Sequence, residues 1–153
     1  MIDPNGIAHI QLSVTDFVRS RAFYHWLLHE TFGMTIQYDN ETTFYCIGGR
    51  TGVLIRPADP ALSQAGFNQW RVGLHHFCFR LRSQADIEAL GSALIARGIV
   101  PIRKPEEGPW APGYYSVLFE DPDGIRIEAV FIPGRGNLDV IKDTPLTPPG
   151  GEF

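Results

Sequence analysis

The chain has 153 residues, about the size of one domain, with 44% hydrophobic and 20% charged side chains and a net charge of −4. That composition supports a buried core and lacks the clustered Lys and Arg that a nucleic-acid partner calls for. No apolar run approaches the roughly 20 residues of a membrane span.

The N-terminus, "MIDPNG", has neither the basic nor the apolar region of a secretion signal. Cys46 and Cys78 are too few for a disulfide framework and fit no CxxC spacing. A cytoplasmic protein without nucleic-acid or membrane partners is expected.

In chain order, "GIAHIQLSV" (6–14) alternates apolar with polar or small residues, the period of a half-buried strand. A helix follows from about Asp16 through "FVRSRAFYHWLLHE", with Val18, Ala22, Phe23, Trp26 and Leu27 as its apolar face and Gly33 as its stop. Short strands "MTIQY", "TTFYCI" and "GVLIRP" come next, and "PADPALSQAGFNQWRV" divides the chain. Then "GLHHFCFRL" (73–81) reads as a strand. Ser83 caps a helix carrying Ile87, Leu90, Leu94 and Ile95 at helical spacing, closed by Gly98. Strands "IVPIR", "YYSVLF" and "IRIEAVF" end the pattern, interrupted by the loop "KPEEGPWAPGY" and the turn "EDPDG".

The two halves are copies. Gly6 aligns with Gly73, His9 with His76, and Ile10, Leu12 and Val14 with Phe77, Phe79 and Leu81. The expected fold is α+β, a single domain of two tandem βαβββ modules forming a curved, cleft-bearing mixed sheet with helices on the outside. Module 1 covers about 6–57, a linker about 58–72 and module 2 about 73–132, followed by a Pro/Gly-rich tail, 133–153. A lone module of this size exposes its sheet face, so the copies share one core or pair across a dimer.

Strand alternation puts His9, Gln11 and Ser13 on one face, and His76, Cys78 and Arg80 on the equivalent face of the second copy. His75 falls on the opposite side. On the last strand Arg126 and Glu128 share a face; if it is the concave one, His9, His76 and Glu128 converge. Two imidazoles and a carboxylate suit one divalent ion (Fe, Mn, Zn or Ni), and three protein ligands leave positions open for a substrate. The blander alternative is a hydrogen-bonded histidine on each strand and a surface glutamate.

The two-module pattern, "HIQLSV", "HHFCFRL" and "FEDPDGIRIEAVF" resemble the vicinal oxygen chelate superfamily, which includes glyoxalase I, fosfomycin-resistance thiol transferases, extradiol dioxygenases, methylmalonyl-CoA epimerases and bleomycin-resistance proteins. The resemblance spans about residues 6–132, and "DPDG" followed four residues later by Glu is its most specific motif. It implies metal ligands at His9, His76 and Glu128 and a metal that acts as Lewis acid on vicinal oxygens of a small-molecule substrate. It also implies lyase, thiol-transferase or dioxygenase chemistry.

The departures narrow the choice. Aligning Gly52 with Gly124 sets Arg56 opposite Glu128, where glyoxalase I carries a fourth ligand, and an arginine neither ligates a metal nor serves readily as base. Leu118 stands where extradiol dioxygenases and fosfomycin transferases carry a tyrosine, and Gln11 where the transferases carry a threonine.

Arg56 and Arg126 are either solvated strand arginines or holders of an anionic substrate group. Cys78 lines the pocket or is a small core thiol. The loop "EEGPWAPGYY" is a lid with Trp110, Tyr114 and Tyr115 as an aromatic wall, or a plain connection. Substrate contacts are therefore expected from Arg56, Gln11, Cys78, Trp110, Tyr115 and Arg126. His25 and His29 lack the Glu of HExxH and read as a solvated face. The reading is a metal-dependent, homodimeric enzyme of this superfamily with its catalytic acid–base residue unassigned. The competing class is a bleomycin-resistance-like binding protein without turnover.

Overall fold

A computed structural model describes residues 2, 6–63 and 66–134. The tail expected over 133–153 therefore lies, from residue 135 on, outside the described residues. The chain divides into two units, residues 1–67 with the turn 121–124, and residues 68–120 with 125–153.

The first unit runs β1 (His9–Val14), α1 (Phe17–Tyr24), a π-helical continuation (His25–Thr31), β2 (Thr35–Asp39), β3 (Phe44–Gly48) and β4 (Thr51–Pro57). The second runs β5 (Phe77–Arg80), α2 (Gln84–Ala96), β6 (Arg103–Glu107), β7 (Tyr115–Glu120) and β8 (Arg126–Phe131). The βαβββ repeat is thus present twice. Each copy forms its own four-stranded mixed sheet, ordered β1-β4-β3-β2 and β5-β8-β7-β6. The first strand of each copy pairs in parallel with the last, and the remaining pairs are antiparallel.

One face of each sheet is core. Leu12, Val14, Phe44, Cys46, Val53 and Ile55 are buried in the first unit, together with Phe23, Tyr24, Leu27 and Leu28 of its helix. In the second, Phe77, Val117, Phe119, Ile127 and Ala129 are buried with Ile87, Leu90 and Leu94 of α2. Each large side chain so buried contributes about 1.5–3 kcal/mol before chain entropy is counted.

The helix signals behave as local chemistry demands. Asp16 accepts from the Arg19 amide at 3.0 Å, and Ser83 from that of Asp86 at 3.1 Å. Gly33 and Gly98 take φ of 66° and 77° at the helix ends.

Two expectations shift. Val18 is 79% exposed and Ala22 is also exposed. The buried face is Ser20, Phe23 and Tyr24 of α1 with Trp26, Leu27 and Leu28 of the π-helical continuation. The strand expected at "IVPIR" begins only at Arg103 and runs through Pro105, with a register shift between Arg103 and Glu106. As the edge strand of its sheet, β6 tolerates a proline that a central strand would not.

The turn 121–124 belongs to the first unit through its own bonds. Tyr24, fully buried, donates its hydroxyl to Asp121 at 2.8 Å. The Thr15 amide donates to Asp123 at 2.9 Å and Arg19 to the Pro122 carbonyl at 2.8 Å. "DPDG" is thereby a clasp on the start of α1 as well as a turn.

Candidate metal and substrate site

In the first unit, His9, Gln11 and Ser13 are exposed on the sheet face opposite the core. Their parallel partners are Gly52, Leu54 and Arg56, and Arg56 is exposed at the end of β4. Gly52 is under the ring of Tyr45; a Cβ there would come within 2.6 Å of it.

The register corrects the alignment of the two copies. Gln11 pairs with Leu54, and Cys78, its equivalent, pairs with Glu128. The counterpart of Glu128 is therefore Leu54, and Arg56 corresponds to Val130. The alignment through Gly52 and Gly124 was displaced by one strand period, because Gly124 lies in a turn with φ of 82° whereas Gly52 lies inside a strand. Its consequence is unchanged, since leucine offers neither a ligand nor a base.

In the second unit, Leu118, Glu128 and Cys78 lie in register across β7, β8 and β5. Glu128 is 5% exposed and its two oxygens have different neighbours. Oε1 accepts from Arg103 Nη2 at 2.8 Å and from the Tyr114 hydroxyl at 2.9 Å. Oε2 stands 3.4 Å from His76 Nε2. Burial alone would raise this carboxyl. The nearby His76 imidazole, hydrogen bonds from Tyr114 and Ser116 and the Arg103 charge outweigh it and hold the pKa below the ordinary carboxylate value.

His76 is held from its other side. Its Nδ1 is 2.7 Å from Nδ1 of His75, one donating to the other. His75 was expected on the opposite face. Both histidines precede β5, which begins at Phe77, so strand alternation does not separate them. Burial, then the neighbouring charges of His76 and Arg126, lowers the His75 pKa.

Arg103 completes the cluster. Its Nη2 also donates to Ser116 Oγ at 2.9 Å, and its guanidinium lies 4.8 Å from the centre of the Trp110 ring. Trp110 packs on Tyr114 at 5.0 Å. Gly108 makes room for this, since a Cβ there would come within 2.2 Å of the indole.

Of the expected aromatic wall, Trp110 and Tyr114 reach the Arg103–Glu128 pair. Tyr115, expected in it, turns its hydroxyl to Glu88 of α2 instead. Arg126, on the Glu128 face, is engaged by Glu120 at 3.7 Å and by Gln69, whose amide, turned to the orientation its neighbours call for, accepts from Nη2 at 2.8 Å. Cys78 keeps an exposed edge. Its thiol is raised first by desolvation and next by the Glu128 carboxylate. His25 bonds Glu30 at 3.0 Å and His29 bonds the Met34 carbonyl at 2.9 Å, so both have structural partners.

Within neither unit do three His, Cys, Asp or Glu side chains of the described residues group as a metal-ligand set. The second unit supplies two donors. A separation of 3.4 Å is long for a hydrogen bond but suits two ligands on one ion with bonds of about 2.0–2.2 Å. The other nitrogen and the other oxygen are already engaged, as ligating histidines and carboxylates commonly are. The pair fits a divalent ion. Sequence reasoning missed Arg103, whose nearness to Glu128 comes from pairing across the sheet, and named Tyr114 only as part of the wall.

A family model described as the Glyoxalase/Bleomycin resistance protein/Dioxygenase superfamily matches residues 6–129. The uncharacterized protein YqjT of Bacillus subtilis (strain 168) is 30% identical over 133 residues, covering 80% of this chain and 95% of the relative. A solved structure from Bacillus halodurans, named only provisionally as a glyoxalase, superposes with a TM-score of 0.75 at 26% identity, over 84% of this chain and 96% of that one. Lactoylglutathione lyase from Agrobacterium tumefaciens gives 0.61 at 22% identity, over 84% and 95%, a likeness of fold alone.

Proposed function

Because the chain belongs to the Glyoxalase/Bleomycin resistance protein/Dioxygenase superfamily, we propose that it is a divalent-metal-dependent enzyme acting on a small oxygen-bearing substrate. His9, His76 and Glu128 are the ligands in this reading, and the protein works as a homodimer. The observation that carries it is the disposition of His76 Nε2 and Glu128 Oε2, 3.4 Å apart, with Nδ1 held by His75 and Oε1 by Arg103 and Tyr114.

A bound divalent ion would act as a Lewis acid on substrate oxygens. The remaining work falls to the chain. Trp110 and Tyr114 wall the carboxylate side and limit water there. Gln11, Arg56 and Cys78 supply donors or charge for substrate contacts, and Arg56 suits an anionic group. Arg126 and Tyr115, engaged by Gln69 and Glu88, position structure rather than substrate. With Leu54 where a fourth ligand would stand, a hemithioacetal isomerisation that needs a carboxylate base there is disfavoured.

The test is metal content and turnover together. Purified protein loaded with Fe(II), Mn(II), Zn(II) or Ni(II) should retain about one ion per chain. His76→Ala should abolish retention. Assays with a hemithioacetal, a catechol under O2, and fosfomycin plus a thiol then assign the reaction. Failure of wild type to retain any metal after loading would sink this reading. The second reading, a binding protein without turnover, is favoured by the Arg103–Glu128 ion pair, which already neutralises the carboxylate. It predicts ligand binding that is indifferent to metal.

A further inference from the structure

We infer that Arg103 is a positioning residue that makes Glu128 a one-oxygen, weakened ligand for a divalent cation, an inference that rests on the metal reading above. The guanidinium is fixed on several sides. Nη2 bridges Glu128 Oε1 and Ser116 Oγ, and the plane lies over Trp110. Nε is buried without a hydrogen-bond partner, with Glu106 at 3.7 Å. These contacts hold the head beside Glu128 Oε1.

Two consequences follow. Oε1 receives both Arg103 and Tyr114, so bidentate chelation by Glu128 is closed and only Oε2, beside His76, is presented. The charge of Glu128 is also already balanced. An incoming ion meets a neutral pair with a positive charge fixed within a few ångströms, where the side chains of Glu128 and Arg103 are 7% and 21% exposed. Repulsion between like charges at that range weakens binding, and low exposure limits its screening by solvent. The pair also keeps the buried carboxylate satisfied when no ion is bound.

The experiment titrates the metal-free full chain with Zn(II) and Co(II) alone by calorimetry, with the visible spectrum of Co(II) as a second readout. Arg103→Met and Arg103→Gln remove the charge, Arg103→Lys keeps it, and Tyr114→Phe removes only the neutral donor to Oε1. Circular dichroism checks the fold of each, and the two charge-removing variants guard against one failing to fold. The charge-removing variants should bind about tenfold or more tightly than wild type, with a changed Co(II) spectrum as Oε1 becomes available. The Lys and Phe variants should stay within about threefold of wild type, since neither changes the site's charge. Equal or weaker binding by both charge-removing variants overturns the inference. If wild type binds and they bind no tighter, it falls while the metal reading stands. If wild type does not bind and the Gln variant does, Arg103 is confirmed as the block and the metal reading fails. If none binds, both fall.

Discussion

His75 and His76 face each other through their Nδ1 atoms, 2.7 Å apart, with ring centroids 5.0 Å apart. When His76 is the donor in this bond, its Nε2 carries a lone pair on the side of Glu128 Oε2. In the metal reading this is the tautomer that a cation requires, and the bond to His75 is what would hold it.

His75→Phe keeps a ring of similar breadth and deletes the bond. Zn(II) affinity should fall about 10–100-fold, the usual cost of losing a bond that orients a ligating histidine. Calorimetry on the folded variant measures it, with the urea midpoint as control for stability. Unchanged affinity would mean that His76 is oriented by the backbone alone.

Glu128→Gln preserves shape and removes the charge that Arg103, Tyr114 and His76 share. The half-buried Arg103 loses its ionic acceptor, and the fold should lose about 2 kcal/mol, in the range for a hydrogen bond to a charged group. Urea denaturation at pH 7 reads the loss. A variant as stable as wild type would show that Arg103 finds a second acceptor, for which Glu106 at 3.7 Å is the nearest candidate.

Tyr24→Phe tests the clasp in the first unit. The phenol is fully buried and bonds Asp121, so its removal leaves an interior carboxylate one donor short. The expected cost is about 1–3 kcal/mol. Tyr115→Phe, whose hydroxyl bonds Glu88 at an exposed position, should stay within about 0.5 kcal/mol of wild type. Equal losses in the two variants would contradict the difference in burial.

Much of this arrangement was legible because it is local. Period-two alternation, the Asp16 and Ser83 caps and the glycine stops each act over a few residues, and the internal repeat doubled every signal. What failed was also specific. Strand alternation does not reach His75 and His76, because pairing starts only at Phe77. Gly124 is a turn glycine and Gly52 a strand glycine under Tyr45, so an alignment on glycines puts Arg56 in the place of Leu54. Arg103 approaches Glu128 from 25 residues away on an edge strand, and Tyr114 from 14 residues away at the end of a loop. Neither approach is written in any spacing, because sheet pairing and a bulge bring them in. The neighbours Tyr114 and Tyr115 part at the start of β7, one hydroxyl reaching Glu128 and the other Glu88.

Acid should expose the surface pair Arg21–Asp39, whose two bonds are each 2.5 Å. The Arg21 hydrogen bond, aided by its charge and opposed by partial burial, lowers the Asp39 pKa. A lowered folded pKa means that the unfolded chain binds more protons near that pH. The pair's contribution is therefore complete above the ordinary aspartate value of about 3.9 and drains away as pH falls through the lower folded value. Asp39→Asn should flatten that part of the stability–pH curve. At pH 7 it should cost under about 1 kcal/mol, because both partners are partly solvated. A curve with the same acid slope in variant and wild type would assign the slope to other carboxylates.

Thiol reactivity offers a check on the core of the first sheet. Cys46 is fully buried on β3, and burial, with a smaller effect of Asp39, raises its pKa to about 11. The thiolate is the reactive form, so at pH 8 only on the order of one molecule in a thousand carries it. Cys78 is exposed, yet desolvation and the Glu128 carboxylate also hold its thiol protonated. Iodoacetamide at pH 8 should therefore label both slowly in the native protein and both rapidly in urea, where the pKa returns to about 8.5. Replacing Glu128 by Gln removes one of the influences on Cys78 and none on Cys46, so only Cys78 should speed up. Peptide mapping by mass spectrometry separates the two sites. Faster labelling of Cys46 in that variant would mean that the loss had opened the first sheet, and that the two effects do not belong to separate environments.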